Sequence, residues 1–268
     1  MSRRVALTGV GAAAAAAVTA VATPVATAAT AHGGHRPPHH HRRSADLSHV
    51  LSEDFPAFTP GEEASRRTTV TVEEDGYYIQ EWRLIEHIGT HVDAPGHFIA
   101  GGRLGPDLTV EELMLPAVVV DIAARAASDP DTTVGVDDLR SFERRHGRIP
   151  AGAAVLMHSG WAAKVGDPAA YRGADADGVL HFPGFSVEAC EWLLRRRRVR
   201  CLGVDTLSID PGESSTFDTH LTLLGADRYG LENLANLGDL PPHGASVMVG
   251  LLPLREGSGG PARVLAHW

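Results

Sequence analysis

The chain is poor in cysteine. Cys190 and Cys201 are its only two, too few for a disulfide scaffold, so the fold must rest on a buried core. Both lie in apolar segments, a predicted helix and the strand after it, and are expected as separate buried thiols. No Gly-x-Ser-x-Gly elbow occurs and neither cysteine has a catalytic setting, so a covalent serine or cysteine mechanism lacks support. A general basic surface is missing too. The formal net charge is −9, which argues against nucleic acid as a partner. The one dense basic run, Arg195–Arg198, closes an amphipathic helix, where cations complement the C-terminal dipole. Nor is there a long, strongly apolar run. The Ala-rich stretch Val5–Val25 is too weakly hydrophobic for a stable membrane anchor.

What the chain does have is 43% hydrophobic residues, 29 Gly and 17 Pro. That is apolar material for a sizeable core and turns for a sheet-containing enzyme. Ser2-Arg3-Arg4 ahead of the Ala-rich run, with Ala26-Thr27-Ala28 or Ala29-Thr30-Ala31 for cleavage, reads as a twin-arginine-type signal over residues 1–31. It predicts an exported protein, secreted or held in the periplasm or cell envelope. Residues 32–45, rich in His, Pro and Arg, read as a disordered linker. The folded domain is expected over 46–268. It opens with β-rich runs Arg67–Glu73 and Tyr77–Ile85, joined by a hairpin signal at Asp75-Gly76. Short apolar runs starting at Ala117, Ala153, Cys201 and Ala245 read as buried strands. Helices are predicted over Val136–His146 and from Ser186, an N-cap, to the basic run. Strands alternating with helices after an early hairpin predict one α/β domain with a mixed sheet.

The chemistry gathers in His87-Ile-Gly-Thr-His-Val-Asp-Ala-Pro-Gly-His97. Gly89 and Pro95 are poor helix material. As an extended strand, the segment turns His87, Gly89, His91 and Asp93 to one face, with Gly89 as a gap between the imidazoles. Two neutral imidazoles and a carboxylate suit a divalent ion such as Zn²⁺ or Mn²⁺ with positions left for water. Pro95-Gly96 then returns His97 beside the site. Downstream, His220 and Glu232 could complete that shell or hold a second ion.

The pattern His87-x-Gly-Thr-His-x-Asp-x-Pro-x-His97 resembles the signature of the metal-dependent cyclase family of hydrolases, which includes bacterial kynurenine formamidases and isatin hydrolases. The likeness runs over Asp46–Trp268. It takes in Ser159-Gly-Trp161, Phe182–Ser186, Gly203–Thr206, Asp210-Pro211, His220, Glu232 and Gly259–Arg263. The resemblance implies that His87, His91 and Asp93 are metal ligands, that His97 is the acid/base histidine, and that His220 and Glu232 bind a second ion. It also implies an α/β domain with a mixed, barrel-like β core flanked by helices, assembled as a homodimer or higher oligomer.

The expected activity is metal-dependent hydrolysis of a non-peptide carbon–nitrogen bond in a small substrate such as an aryl formamide or cyclic amide. His97 would take the proton from water and pass it to the leaving group. Trp82, Phe98, Trp161, Phe182 and Phe185 are candidate walls of an aromatic pocket. Asp205 and Asp210 are expected to brace loops or ligands, and His158 to be structural. Other readings are a non-haem iron oxygenase using His91, Asp93 and His220, which leaves His87 and His97 without a purpose, and a non-catalytic exported metal-binding protein.

Overall fold

The computed structural model describes residues 43–268; the expected signal and the linker up to residue 42 lie outside the described residues. The strands in chain order are β1 (Ser44–Asp46), β2 (Ser65–Val70), β3 (Ile79–Arg83), β4 (His91–Asp93), β5 (Met114–Asp121), β6 (Thr133–Val134), β7 (Ala154–His158), β8 (Gly184–Phe185), β9 (Cys201–Val204), β10 (Tyr229–Glu232), β11 (His243–Leu251) and β12 (Gly259–His267). β1 starts ahead of the boundary expected at Asp46. Ser44 and Ala45 pair with His267 and Ala266, so these residues belong to the sheet and not to a linker.

Strands β12, β11, β5, β7, β9, β10 and β4 close into a seven-stranded barrel. The seam is β4, which pairs antiparallel with both β10 and β12. β5, β7, β9 and β10 are mutually parallel, while β11 runs antiparallel to β5 and β12. The sheet is therefore mixed, as the early hairpin and later βα pattern predict.

Period-two alternation explains why some strands read as continuous apolar runs. In β5, Ala117 and Val119 fill the barrel with Leu156, Leu231 and Val264. Val118 and Val120 point outward into a second layer with Leu139, Phe142 and Leu193 from the helices Val136–His146 and Val187–Arg197. Both faces of β5 are thus dry. Among the described residues no helix covers β12 in the same way, so Arg263, Leu265 and His267 alternate outward and are exposed. Cys201 lies in the barrel and Cys190 in the helix layer, both free and buried. The second helix starts as its sequence indicates, with Ser186 Oγ accepting the Ala189 N–H at 3.2 Å. Its basic end is satisfied in part by Arg197 on Glu143. Among the described residues no helix is long and apolar enough to cross a membrane.

β2 and β3 form the predicted hairpin. Its tip differs from a tight turn: Val72–Asp75 make one helical turn, and Gly76 at φ 80° closes it in the left-handed region.

One partly buried ion-pair network ties the barrel's flank together. Glu112 accepts from Arg103 Nη1 at 2.8 Å and Nη2 at 3.0 Å, and from Arg200 Nη1 at 3.1 Å. The Arg103 hydrogen bonds dominate, outweigh burial, and hold this carboxyl at about 2. A depressed carboxyl contributes stability that is complete above its unfolded value, near 4.5, and lost as pH falls towards 2. Glu112→Gln is expected to cost about 1–3 kcal/mol at neutral pH and to flatten the loss of melting temperature across that acid window. An unchanged melting temperature at pH 7 would refute this account.

Candidate metal centre

The site forms where the barrel closes. His91 and Asp93 lie on β4, two residues apart, so the pleat turns both to one face as expected. His87 reaches them differently. The strand covers only His91–Asp93, and residues 86–90 form a bend. Gly89 sits at φ +67°, and a Cβ there would lie 3.2 Å from Leu51 Cδ1. Its use is therefore a left-handed hinge that folds His87 back, not a gap between imidazoles in an extended strand.

The neighbours come from pairing register. Glu232 on β10 lies directly opposite His91, and Gly230 opposite Asp93. On the other edge of β4, Gly259 of β12 pairs with Asp93. A side chain there would strike the Val92 carbonyl and come within 2.7 Å of His87 Cε1. His220 enters from the helix Asp218–Gly225, and His97 from a 3₁₀ turn with Pro95 at its start.

All the sequence-predicted ligand candidates converge on Asp93. His87 Nδ1 is 2.6 Å and His91 Nε2 3.3 Å from Asp93 Oδ1; His220 Nε2 is 3.6 Å from Asp93 Oδ2. Glu232 closes the ring, 3.4 Å from His91 Nε2 and 3.1 Å from His220 Nε2. Two overlapping donor sets share Asp93: His87, Asp93 and His97, and His91, Asp93 and Glu232. Hydrogen bonds orient the rings. His91 Nδ1 meets the Gly89 carbonyl at 2.9 Å, and His220 Nδ1 meets Asp210 at 2.6 Å. Asp210 also accepts the Thr219 N–H at 2.8 Å, the bracing part expected for it. Asp205 braces a loop, accepting the Ser159 N–H at 3.0 Å. His158 stands apart beside Asp121, 3.5 Å away.

The electrostatics fit a cation. Burial opposes charge on His91, yet Asp93 and Glu232 raise it to about 9. Burial likewise opposes charge on His220, but Asp210, Asp93 and Glu232 raise it well above the usual range. Burial works to raise Asp93, but His91, His220 and His87 hold it well below. Burial and Asp93 push Glu232 up. Carboxylates this close need compensating positive charge, and a divalent ion supplies it where protons otherwise must. Asp93 Oδ2 is buried with no hydrogen-bond partner, an acceptor 3.6 Å from His220 Nε2. His97 is the exception. Burial pushes it down to about 4, with Asp93 only partly opposing, so its imidazole is neutral near pH 7.

A cavity of about 450 Å³ opens over these residues, walled by Phe58, Phe98, Phe217, Ile85, Ile88 and Leu207. Of the aromatic candidates from sequence, only Phe98 lines it. Trp161 and Phe182 pack with Tyr171 and Leu180, and Phe185 lies in the helix layer. Trp82 sits on the hairpin beneath the Arg66 guanidinium. Phe58 and Phe217 take the wall instead. Phe217 lies 5.5 Å from Phe98 and 6.0 Å from Phe58 between ring centroids. Phe217 adopts φ 54° just before the His220 helix, and neither residue carries a periodicity that could have marked it.

Known proteins share this chain's sequence and fold. The Cyclase family model matches residues 45–211. An isatin hydrolase from Roseibium aggregatum is 35% identical over 226 residues, covering 81% of this chain and 84% of the relative. A kynurenine formamidase from Salinibacter ruber is 28% identical over 72% of this chain and 81% of its own length. The solved structure of isatin hydrolase A from Ralstonia solanacearum superimposes with a TM-score of 0.80 at 38% identity, over 84% of this chain and 92% of that one. The chain belongs to the cyclase family, as a relative of its isatin hydrolases and kynurenine formamidases.

Proposed function

We propose that the protein is a metal-dependent amidohydrolase that opens the carbon–nitrogen bond of a small, neutral aryl amide, with a cyclic amide of the isatin type as its best substrate. The observation that carries this is an Asp93-centred donor set at the base of an aromatic cavity whose described lining has no arginine or lysine. Without such a cation, a substrate carboxylate remote from the reacting bond finds no counter-charge, and Glu62 at the wall would repel it. A flat, uncharged ring meets Phe58, Phe98 and Phe217.

His87, His91, Asp93, His220 and Glu232 would hold one or two ions, Zn²⁺ or Mn²⁺ by donor type. Such an ion lowers the pKa of water and polarises a carbonyl. His97 accepts the proton of the attacking water at its neutral imidazole and returns it to the leaving nitrogen. Its ring is stacked on His87 at 3.8 Å and edge-on to Phe98 at 4.7 Å, which fixes its plane beside the ligand cluster. Asp210 keeps a proton on His220 Nδ1, so Nε2 stays available inward. Export through the Ser2-Arg3-Arg4 signal would put the reaction outside the cytoplasm. Self-association is supported by a sheet face, uncovered among the described residues, on which Met114 and Leu265 flank Met248 in register.

The test is a substrate panel on metal-loaded protein: isatin, N-formylkynurenine, a small lactam and an ester. Isatin or another neutral aryl amide should exceed N-formylkynurenine by at least about tenfold in kcat/KM, roughly 1.4 kcal/mol. Chelation should abolish turnover, with Zn²⁺ or Mn²⁺ restoring it. A preference for N-formylkynurenine would overturn the substrate reading, and turnover that survives chelation would overturn the metal.

A further inference from the structure

Glu86 and Ser258 are absent from the donor set, yet they hold His87, which unlike His91 and His220 is oriented with Nδ1 inward. We propose that Glu86 and Ser258 form a positioning relay that fixes the tautomer of His87 and thereby strengthens metal binding; this rests on the metal-dependent reading above.

Ser258 Oγ lies 2.9 Å from His87 Nε2 and donates to Glu86 Oε2, also at 2.9 Å. The same carboxylate oxygen accepts the Ser258 backbone N–H at 2.7 Å. Glu86 Oε2 is itself 3.9 Å from His87 Nε2, so the hydroxyl is the link between them. A hydroxyl has a single proton. With Glu86 taking it, the serine oxygen can only accept from the ring, so Nε2 keeps its hydrogen and Nδ1 presents a bare lone pair. Nδ1 and Asp93 Oδ1 stand at hydrogen-bond distance, 2.6 Å, and a bound ion would take the place of the proton between them. In the opposite tautomer the Nδ1–H would donate to Asp93 and occupy both groups.

His91 and His220 are set the other way round, with Nδ1 tied outward to Gly89 and Asp210 and Nε2 turned to the cluster. His87 therefore needs an acceptor on its Nε2 side, and Ser258 is the group placed there. Position in the chain makes the brace stiff. Ser258 precedes Gly259, which pairs with Asp93, and its carbonyl accepts the Ala94 N–H at 2.9 Å. The backbone of this loop thus holds one side of the cluster while its side chain holds the other.

The experiment is Mn²⁺ titration calorimetry on the full chain stripped with chelator, with melting of the metal-free protein in parallel. Ser258→Ala should weaken Mn²⁺ binding about 10–100-fold, the usual effect of removing a partner behind a ligating histidine. Ser258→Thr keeps the hydroxyl and should restore affinity to within a few-fold of wild type. Glu86→Ala should weaken binding as well, because Ser258 Oγ then loses the acceptor of its proton and can donate to His87 Nε2 instead, which reverses the relay. The metal-free melting temperature should move by no more than about 3 °C in each. Unchanged affinity in Ser258→Ala, no rescue by threonine, or wild-type affinity in Glu86→Ala would each overturn the relay alone. Wild-type protein that binds no divalent ion overturns both this inference and the hydrolase reading.

Discussion

Asp93→Asn is expected to lower kcat/KM on the best amide substrate by on the order of 10³-fold, about 4 kcal/mol at the barrier. The reason is that every other member of the cluster is arranged around this carboxylate. His87 and His91 approach Oδ1, while Oδ2 is buried without a partner beside His220. An amide in its place carries no charge and puts an NH₂ where an acceptor is needed. Three donors would then lose their common neighbour in a buried site, where water cannot take its place. Metal content per chain, measured by elemental analysis after dialysis, should fall together with activity. Full metal content with activity within tenfold of wild type would show that Asp93 is not the centre of the site.

His97→Ala should lower kcat by about 10²- to 10⁴-fold, the range for loss of a general acid/base, and leave metal content unchanged. The second half of that statement is the discriminating one. His97 is near enough to His87 and Asp93 to share an ion with them, so proximity alone is compatible with ligation. Its electrostatics point elsewhere. His91 and His220 are driven upward by facing carboxylates, whereas burial drives His97 down to about 4. It is a neutral base at the edge of the charge cluster. Loss of metal from the alanine variant would reassign it as a ligand, and full activity would remove it from the mechanism.

The candidate ligands were legible in the sequence because their spacing is local. His91 and Asp93 need only a pleat to face one way, and the pleat has a period of two. Extending the same reasoning to His87 gave the right neighbour by the wrong route. A glycine flanked by good strand residues reads as a tolerated gap, whereas here it sits at φ +67° with Leu51, distant in the chain, packed close against it. Phe98 was legible as a wall residue because it adjoins His97. Trp161, Phe182 and Phe185 were misplaced because hydrophobic content alone does not separate a core aromatic from a cavity wall. Their partners, Tyr171, Leu180 and Leu193, come from other elements.

What the sequence determined by itself was the alternation of strands and helices, the separate buried thiols and the local part of the ligand pattern. All of these depend on short-range periodicity and residue chemistry. Tertiary structure alone decided that β4 seals the barrel between β10 and β12, bringing Glu232 opposite His91 and Gly259 opposite Asp93. It alone put Ser258 behind His87 and Phe58 beside Phe217. These pairings join residues far apart in the chain, and pairing register and loop closure, which no local pattern encodes, set them.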